Sequence, residues 1–180
     1  MKMKKTHYTV LGMLNIMPMT GYDIKKHIEQ SINYFWKESF GQIYPVLNEL
    51  HKNGMINMEI VGQDGKPDKK VYSIKEKGVD ELKIWLQQPA APDYLRSEFL
   101  MKIFFAKEMT GPEFKRQVEE YKLVSQKELD EYLEIEKSIN EHLEQGFEEA
   151  RYWLLTLEMG KKYSSMKIEW CNSVLKNFKP

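Results

Sequence analysis

The polar residues best suited to chemistry lie in the stretch 39–56, among apolar residues at helical spacing. Gln42 and Asn48 fall between the apolar positions and therefore face outward from the predicted helix. A carboxamide both donates and accepts hydrogen bonds, which matches the edge of a nucleic-acid base. Since Asn53-Gly54 can end a helix in the left-handed conformation, the stretch predicts a short helix with a hydrogen-bonding outer face. Its apolar positions are Phe40, Ile43, Leu47 and Leu50.

Pro45 determines where this helix begins. A proline costs no hydrogen bond in the first turn, whereas deeper in a helix it would cost roughly 3 kcal/mol. We therefore expect the regular helix to start near Gly41 or Gln42, with Ser39 capping an earlier loose turn. This start places Gln42, Tyr44 and Pro45 at the N-terminal end, which recognition helices present to bases and phosphates.

Three lysines cluster on a predicted β-hairpin that follows this helix. Residues 55–61 and 69–74 favour strands, and a turn-rich segment lies between them. The lysines, placed to meet phosphate, are Lys66, Lys69 and Lys70. Three helices and a hairpin follow one another in a winged helix-turn-helix. The pattern alone leaves a second interpretation open, a small α+β domain whose hairpin only packs and whose lysines are solvated.

Two upstream helices must hold these elements in place. Residues 6–17 are apolar on most sides, which predicts a buried helix that ends at Pro18. Thr20 is a good N-cap for an amphipathic second helix, and Asp23 completes an approximate capping box. A fourth helix is expected over residues 75–88.

The remainder of the chain predicts long helices. The Pro-Ala-Ala-Pro segment 89–92 is the clearest linker, and Gly146 can break the helical pattern that follows it. At about 1.5 Å per residue, the first long helix would span on the order of 50 Å. It reads as one arm of an antiparallel pair in a mainly α protein. The predicted helices are 93–105, 113–147 and 149–178, and the predicted domains are 1–88 and 93–180.

Composition excludes several other classes. The 27 basic residues equal the 27 acidic ones, but the first 88 residues carry 13 basic and 10 acidic side chains, a weak hint of a phosphate-binding half. With one cysteine, Cys171, and four scattered histidines, neither a disulfide framework nor a metal site is expected. No phosphate loop, nucleophile elbow or paired-carboxylate pattern points to an enzyme. No cofactor and no membrane span are expected, and we place the protein in the cytoplasm.

Six blocks of residues together carry a resemblance to a known family: Gly21–Ile24, Gln42–Leu50, Gly54–Ile56, Lys70–Ile74, Glu76–Gly78 and Glu98–Phe105. Through them the chain resembles the PadR family of bacterial transcriptional regulators, specifically its longer members with a helical C-terminal domain. One departure is Lys75, where the family usually has a threonine that caps the fourth helix; the lysine costs about 1 kcal/mol locally. The resemblance implies a homodimeric repressor that binds double-stranded DNA at a pseudo-palindromic operator, with recognition helices roughly 34 Å apart.

Residue chemistry suggests roles within that framework. Gln42 suits adenine and Asn48 is a second base reader, while Pro45 lies at the exposed helix end. The hydroxyls of Ser39 and Tyr44 can reach phosphate, although Tyr44 has a half-buried core position as its alternative. Tyr22 is expected to pack under the second helix, and a contact of its hydroxyl with backbone phosphate is the alternative. The lysines of the hairpin, Lys66, Lys69 and Lys70, would meet phosphates along the minor groove.

A small effector is a further expectation. Some relatives bind phenolic acids or planar hydrophobic drugs and release DNA. The candidate lining residues are Phe99, Ile103, Trp153 and Trp170, for which an ordinary core position is the alternative. The competing hypothesis for the whole chain is a winged-helix module that binds a protein partner and no DNA; salt-dependent binding to duplex DNA separates the two.

Overall fold

The computed structural model describes residues 3–36, 40–63 and 66–177. The chain forms two compact units, the N-terminal unit Met1–Pro92 and the C-terminal unit Asp93–Pro180. The N-terminal unit contains α1 (Lys5–Ile16), β1 (Met19–Thr20), α2 (Gly21–Ser31), α3 (Ile43–Lys52), β2 (Ile56–Gln63), β3 (Lys66–Ile74) and α4 (Glu76–Leu86). The C-terminal unit contains α5 (Glu98–Phe104), α6 (Gly111–Glu144) and α7 (Ala150–Asn177).

The core of the N-terminal unit lies between α1, α2, α3 and the sheet. Val10 and Leu11 of α1 and Leu47 and Leu50 of α3 are completely buried in it. This confirms that α1 is apolar on most sides and that α3 has one apolar face. Thr20 caps α2 as expected, because its Oγ1 accepts the backbone N–H of Asp23 at 3.1 Å.

The sheet differs from the sequence prediction in two ways. The hairpin strands are longer than expected, since the ladder continues past an irregularity after Val61 to the backbone pair Gln63–Lys66. Residues 60–62 and 68–70, which precede and follow the tip, are exposed, so this end of the hairpin needs no alternation of apolar and polar residues. A third strand, β1, was not predicted; it pairs antiparallel with β3 in the order β1-β3-β2, and two residues are too few to show strand periodicity.

The C-terminal unit is built on two long helices. Glu113 and Thr110 form a capping box at the start of α6, and Gly146 follows the end of α6 with a φ of 91°. The prediction of a helix beginning at residue 93 is wrong, because α5 starts only at Glu98. Ser97 sets this start, since its Oγ accepts the Leu100 N–H at 3.2 Å and caps the helix there.

Polar contacts join α6 and α7 as an antiparallel pair. Lys161 Nζ lies 2.6 Å from Glu136 Oε1, and Glu128 accepts hydrogen bonds from Ser164 and Lys167. Within the described ranges, no helix is both long enough and apolar enough to cross a membrane. The same residues contain no cluster of side chains suited to hold a metal ion.

Candidate nucleic-acid interface

The N-terminal end of α3 is open to solvent. A single 3-10 turn, Phe40–Gln42, leads into α3, so the regular helix starts one residue later than expected at Ile43. Pro45 lies in the first turn, where its missing N–H removes no helical hydrogen bond. Gln42 occupies the N-cap but makes no capping hydrogen bond with its side chain. Its carboxamide therefore remains available for an outside partner.

The two faces of α3 divide by polarity. Gln42, Tyr44, Pro45 and Asn48 are exposed, while the opposite face is buried. At 100° per residue, Asn48 lies near the pole of the exposed face, whereas Gln42 lies on its flank. The geometry therefore gives Asn48 the central position and Gln42 the side. The buried residues are Ile43, Val46, Leu47 and Leu50.

A groove with a volume of about 500 Å³ brings most of the predicted residues together. Its walls come from the start of α2, the exposed face of α3 and the outer half of β3. The predicted members are Tyr22, Tyr44, Asn48, Lys69 and Lys70. The expectation that Tyr22 packs under the second helix is wrong, because Tyr22 lies in the first turn of α2 on the side of the groove and is 65% exposed. Four further residues line it that sequence reasoning did not assign to the site: Thr20, Gly21, Asp23 and Tyr72.

Two predicted residues cannot be placed in the groove. Ser39 lies outside the described residues, and so does the side chain of Lys66. Gln42 and Pro45 are exposed on α3 but do not line the groove.

Tyr44 owes its position to Gly21. A Cβ atom on Gly21 would lie 2.7 Å from Tyr44 Cε1, which no ordinary contact allows. The phenol ring thus covers the backbone of α2, and 57% of Tyr44 remains exposed. The exposed position is the one expected of a residue that offers its hydroxyl to a partner. Below it, burial raises the pKa of Tyr72, with a smaller contribution from Tyr44.

Asp23 places a carboxylate at the edge of the groove. Its pKa is lowered, chiefly by the hydrogen bond from the Thr20 hydroxyl, which lies 2.7 Å from Asp23 Oδ2. The positive charge of Lys69 also contributes to the lowering. The groove therefore carries an ionised acid beside its two lysines, which moderates its attraction for anions.

Alternation along β3 could have found Tyr72. Residues two apart on a strand share a face, so Tyr72 lies on the same side as Lys70. The sequence gives less indication that Gly21 belongs to the site, since only the three-dimensional packing shows that Tyr44 contacts it.

The candidate effector residues do not form one group. Phe99 stacks on Tyr121 with ring centroids 3.8 Å apart and meets Trp170 edge-on at 5.8 Å. Ile103 packs against the same cluster. Trp153 instead lies near His142, 6.1 Å between centroids, at the other end of the helix pair. Trp153 and Trp170 are roughly 25 Å apart along α7, because each residue advances a helix by about 1.5 Å.

Two family models match the sequence. Residues 10–84 match the transcriptional regulator PadR-like family, and residues 95–179 match the C-terminal family of virulence activator alpha. The negative transcriptional regulator PadR of Bacillus subtilis is 34% identical over 105 residues, 57% of each chain. A probable transcriptional regulator of Mycobacterium tuberculosis is 35% identical over 85 residues, 45% of its length. The matching region thus spans about half the length of these curated relatives.

Solved structures cover the chain more fully. Bacillus subtilis PadR in complex with operator DNA has a TM-score of 0.79 at 24% identity, covering 96% of this chain and 98% of that one. The same Bacillus protein with p-coumaric acid gives 0.72 at 22% identity, over 96% and 97%. The Vibrio cholerae virulence activator AphA gives 0.70 at 29% identity, over 94% and 95%. These likenesses confirm the predicted winged-helix fold with a helical C-terminal region, and the match of residues 10–84 confirms the predicted resemblance to the PadR-like family of transcriptional regulators.

Proposed function

We propose that this protein is a sequence-specific DNA-binding regulator that acts as a homodimeric repressor on a pseudo-palindromic operator. One observation carries the proposal: the exposed face of α3 and the lysines of β3 border a single groove. A recognition helix beside a basic hairpin is the arrangement that places amides on base edges and lysines on phosphates. Bacillus subtilis PadR, which has the same fold, has been solved with operator DNA.

The proposed contacts follow from exposure and chemistry. Asn48 and Gln42 would bond base edges, with adenine as the natural partner of an amide. The hydroxyls of Tyr22 and Tyr44 would donate to phosphate oxygens. Pro45 would pack against the DNA backbone at the start of α3, and the hydroxyl of Ser39 would donate to a phosphate oxygen. Phosphates along the hairpin would be neutralised by Lys66, Lys69 and Lys70.

The dimer is proposed from α7. Six of its large apolar or aromatic side chains are exposed and recur at intervals of three and four residues, which is the spacing of a coiled-coil seam. Under two-fold symmetry, these residues would pack against the equivalent residues of a second copy, so the exposed apolar side chains of both copies would be buried together. The residues are Tyr152, Leu155, Met159, Tyr163, Met166 and Trp170.

A small phenolic or hydrophobic effector is proposed to release the DNA. Bacillus subtilis PadR has been solved with p-coumaric acid. In this chain Phe99, Ile103 and Trp170 share one cluster, which favours them over Trp153 as effector contacts. The rings of this cluster already touch one another, so a planar ligand would have to insert between them. Titration with p-coumaric acid tests this: Trp170→Phe should abolish the fluorescence change, and Trp153→Phe should preserve it.

A gel-shift titration against the DNA upstream of the protein's own gene tests the main proposal. At two salt concentrations, the repressor hypothesis expects tight binding that survives competitor DNA and weakens steeply as salt rises. Gln42→Ala should weaken binding to the operator by about 1–3 kcal/mol and binding to random DNA much less. Absence of binding to any duplex at either salt concentration would instead favour the protein-interaction module.

Activation of transcription is the second candidate. The match of residues 95–179 to the virulence activator family favours it. A reporter gene driven by the bound promoter separates the two outcomes, because expression rises on deletion of a repressor and falls on deletion of an activator.

A further inference from the structure

His7 is a buried ionisable residue that the proposed contacts leave unused. It lies in the first turn of α1 and is only 1% exposed. Its Nδ1 accepts the backbone N–H of Lys4 at 3.2 Å, so this nitrogen carries no proton. A neutral ring then holds its proton on Nε2, which lies 2.9 Å from Glu49 Oε2 and donates to that carboxylate. One ring thus joins the start of α1 to the recognition helix.

The position of Glu49 gives this bond its significance. Glu49 follows Asn48 directly and lies two turns beyond Gln42 on the same flank of α3, since seven residues turn a helix by 700°. The other buried residues of α1 and α3 are apolar members of the hydrophobic core, among them Leu11, Leu47 and Leu50. Apolar packing is non-directional, whereas a hydrogen bond to a carboxylate is directional and short. Burial of the apolar face of α3 sets its approximate rotation about its own axis, and the directional bond narrows the range of rotation that remains.

We propose that His7 is a positioning residue for DNA recognition: through Glu49 it fixes the rotation of α3, and with it the direction in which Asn48 and Gln42 point. This inference rests on the proposed function. It assigns His7 no contact with DNA. The same bond also holds the Glu49 carboxylate toward α1, on the flank away from Tyr44, where it cannot repel phosphates that approach the groove.

The role predicts a particular defect. If α3 loses its rotational reference, base contacts weaken while lysine–phosphate contacts persist. His7→Phe keeps a buried ring and removes both hydrogen bonds. It should lower the ratio of operator affinity to random-DNA affinity by about tenfold, with the salt dependence of binding unchanged. Glu49→Ala should cause a similar loss, and the double variant should be no worse than either single variant.

The experiment measures both affinities by fluorescence anisotropy, using a duplex selected from a random pool and an unrelated duplex of equal length. Tyr8→Leu is the matched control, because Tyr8 is the next residue of α1 and stacks on Trp85 of α4, 4.7 Å between ring centroids. This variant should lose thermal stability and keep the affinity ratio. His7→Gln, which offers one acceptor and one donor, should recover most of the ratio.

The outcomes separate the two proposals. The positioning role would be overturned if His7→Phe left the ratio of operator affinity to random-DNA affinity unchanged, or if the double variant lost the product of the two single losses. In either case, binding of the wild-type protein to the selected duplex would still support the DNA-binding proposal. If Tyr8→Leu lost the ratio equally, general destabilisation would be the cause and the role would also fail. If the wild-type chain selected no duplex from the pool, the proposed function itself would fall, and the positioning role with it.

Discussion

The two units of this protein achieve order by different means. In the N-terminal unit, one hydrophobic cluster contains fourteen buried side chains drawn from α1, β1, α2, α3 and the sheet. In the C-terminal unit, the corresponding cluster among the described residues has three: Phe114, Val118 and Cys171. Buried apolar area is the main source of folding stability. The N-terminal unit therefore has the interior of an independent domain, and the C-terminal unit resembles one half of a larger core.

The polar contacts of the C-terminal unit agree with this difference. Glu128 accepts from both Ser164 and Lys167, and Glu136 pairs with Lys161, all across the α6–α7 contact. Ion pairs of this kind add little net stability, because desolvation offsets most of their attraction. Their established use is to select one register between helices. In this unit, polar contacts align the helices, and we expect a second copy to supply the missing apolar burial.

Truncation of a core side chain should have the largest effect. Leu47→Ala removes a completely buried side chain from α3 and should lower the free energy of unfolding by about 2–5 kcal/mol. Since this core lies within one chain, the loss should not depend on protein concentration. Leu155→Ala, at a position 63% exposed on α7, is the matched truncation in the other unit. The destabilisation by Leu155→Ala should appear only as a stronger dependence of the melting temperature on protein concentration, because this side chain would be buried only in the dimer.

A charge on the α7 seam should have the next largest effect. Met159 is 69% exposed, and Met159→Glu would bury a carboxylate wherever two copies meet. Loss of one buried methionine contact is worth roughly 1.5–3 kcal/mol, so the dimer should dissociate at concentrations at least tenfold higher than for the wild type. Analytical ultracentrifugation measures this. Ile84→Glu, a matched change at an exposed position of α4, should leave the association intact. Equal sedimentation of wild type and Met159→Glu would place the interface elsewhere.

The sequence predicted the elements of the N-terminal unit well because their signals are local. Periodicity located α1 and α3, and Thr20 with Asp23 located the start of α2. The hairpin was found, but its strands were predicted too short, since the turn-rich residues 62–68 give no strand signal although the backbone pairing reaches Gln63 and Lys66. The two-residue strand β1 exists only because β3 lies beside it. Local patterns cannot reveal a strand that its neighbour defines.

The candidate site was harder to predict than the elements. Outward-facing polar residues such as Asn48 follow directly from helical spacing. The contact between Gly21 and Tyr44 joins two elements, and the bond between His7 and Glu49 crosses 42 positions of sequence. Trp153 was grouped with Trp170 on composition, and the length of α7 separates them. What the sequence could not supply was distance between elements.

Gly21 offers a test in which DNA binding changes and stability does not. Gly21→Ala places a Cβ 2.7 Å from the end of the Tyr44 ring, which is exposed and can swing outward. The melting temperature should therefore change little, while loss of the Tyr44 hydroxyl from its position should weaken DNA binding by about 1.5 kcal/mol. Gly12→Ala, where nothing lies within 4 Å, is the control and should keep full affinity. Full affinity in Gly21→Ala would remove Tyr44 from the interface.

The smallest expected effect on stability comes from the helix-capping box that occurs in both units. Thr20 N donates to Asp23 Oδ2 at 3.1 Å at the start of α2, and Thr110 N donates to Glu113 Oε2 at 2.8 Å at the start of α6. Thr20→Ala should cost about 1 kcal/mol. Thr110→Ala should cost less, because Thr110 is exposed, so water replaces the lost bonds, and a frayed turn matters little to a helix of 34 residues.

Low pH offers a further test of the difference between the two caps. The pKa of Asp23 is lowered in the folded state, so its contribution is complete above the unfolded value of about 3.9 and is lost as the pH falls through the lower folded value. Hydrogen exchange at the first turn of α2 should therefore separate Thr20→Ala from wild type at pH 7, with the difference shrinking below about pH 4. The pKa of Glu113 is lowered as well, through its bonds to Thr110. The same measurement on Thr110→Ala reports the first turn of α6. An equally large change in hydrogen exchange there would show that burial around Thr20 does not explain the larger effect of its cap. The difference between the two units would then not extend to the ends of their helices.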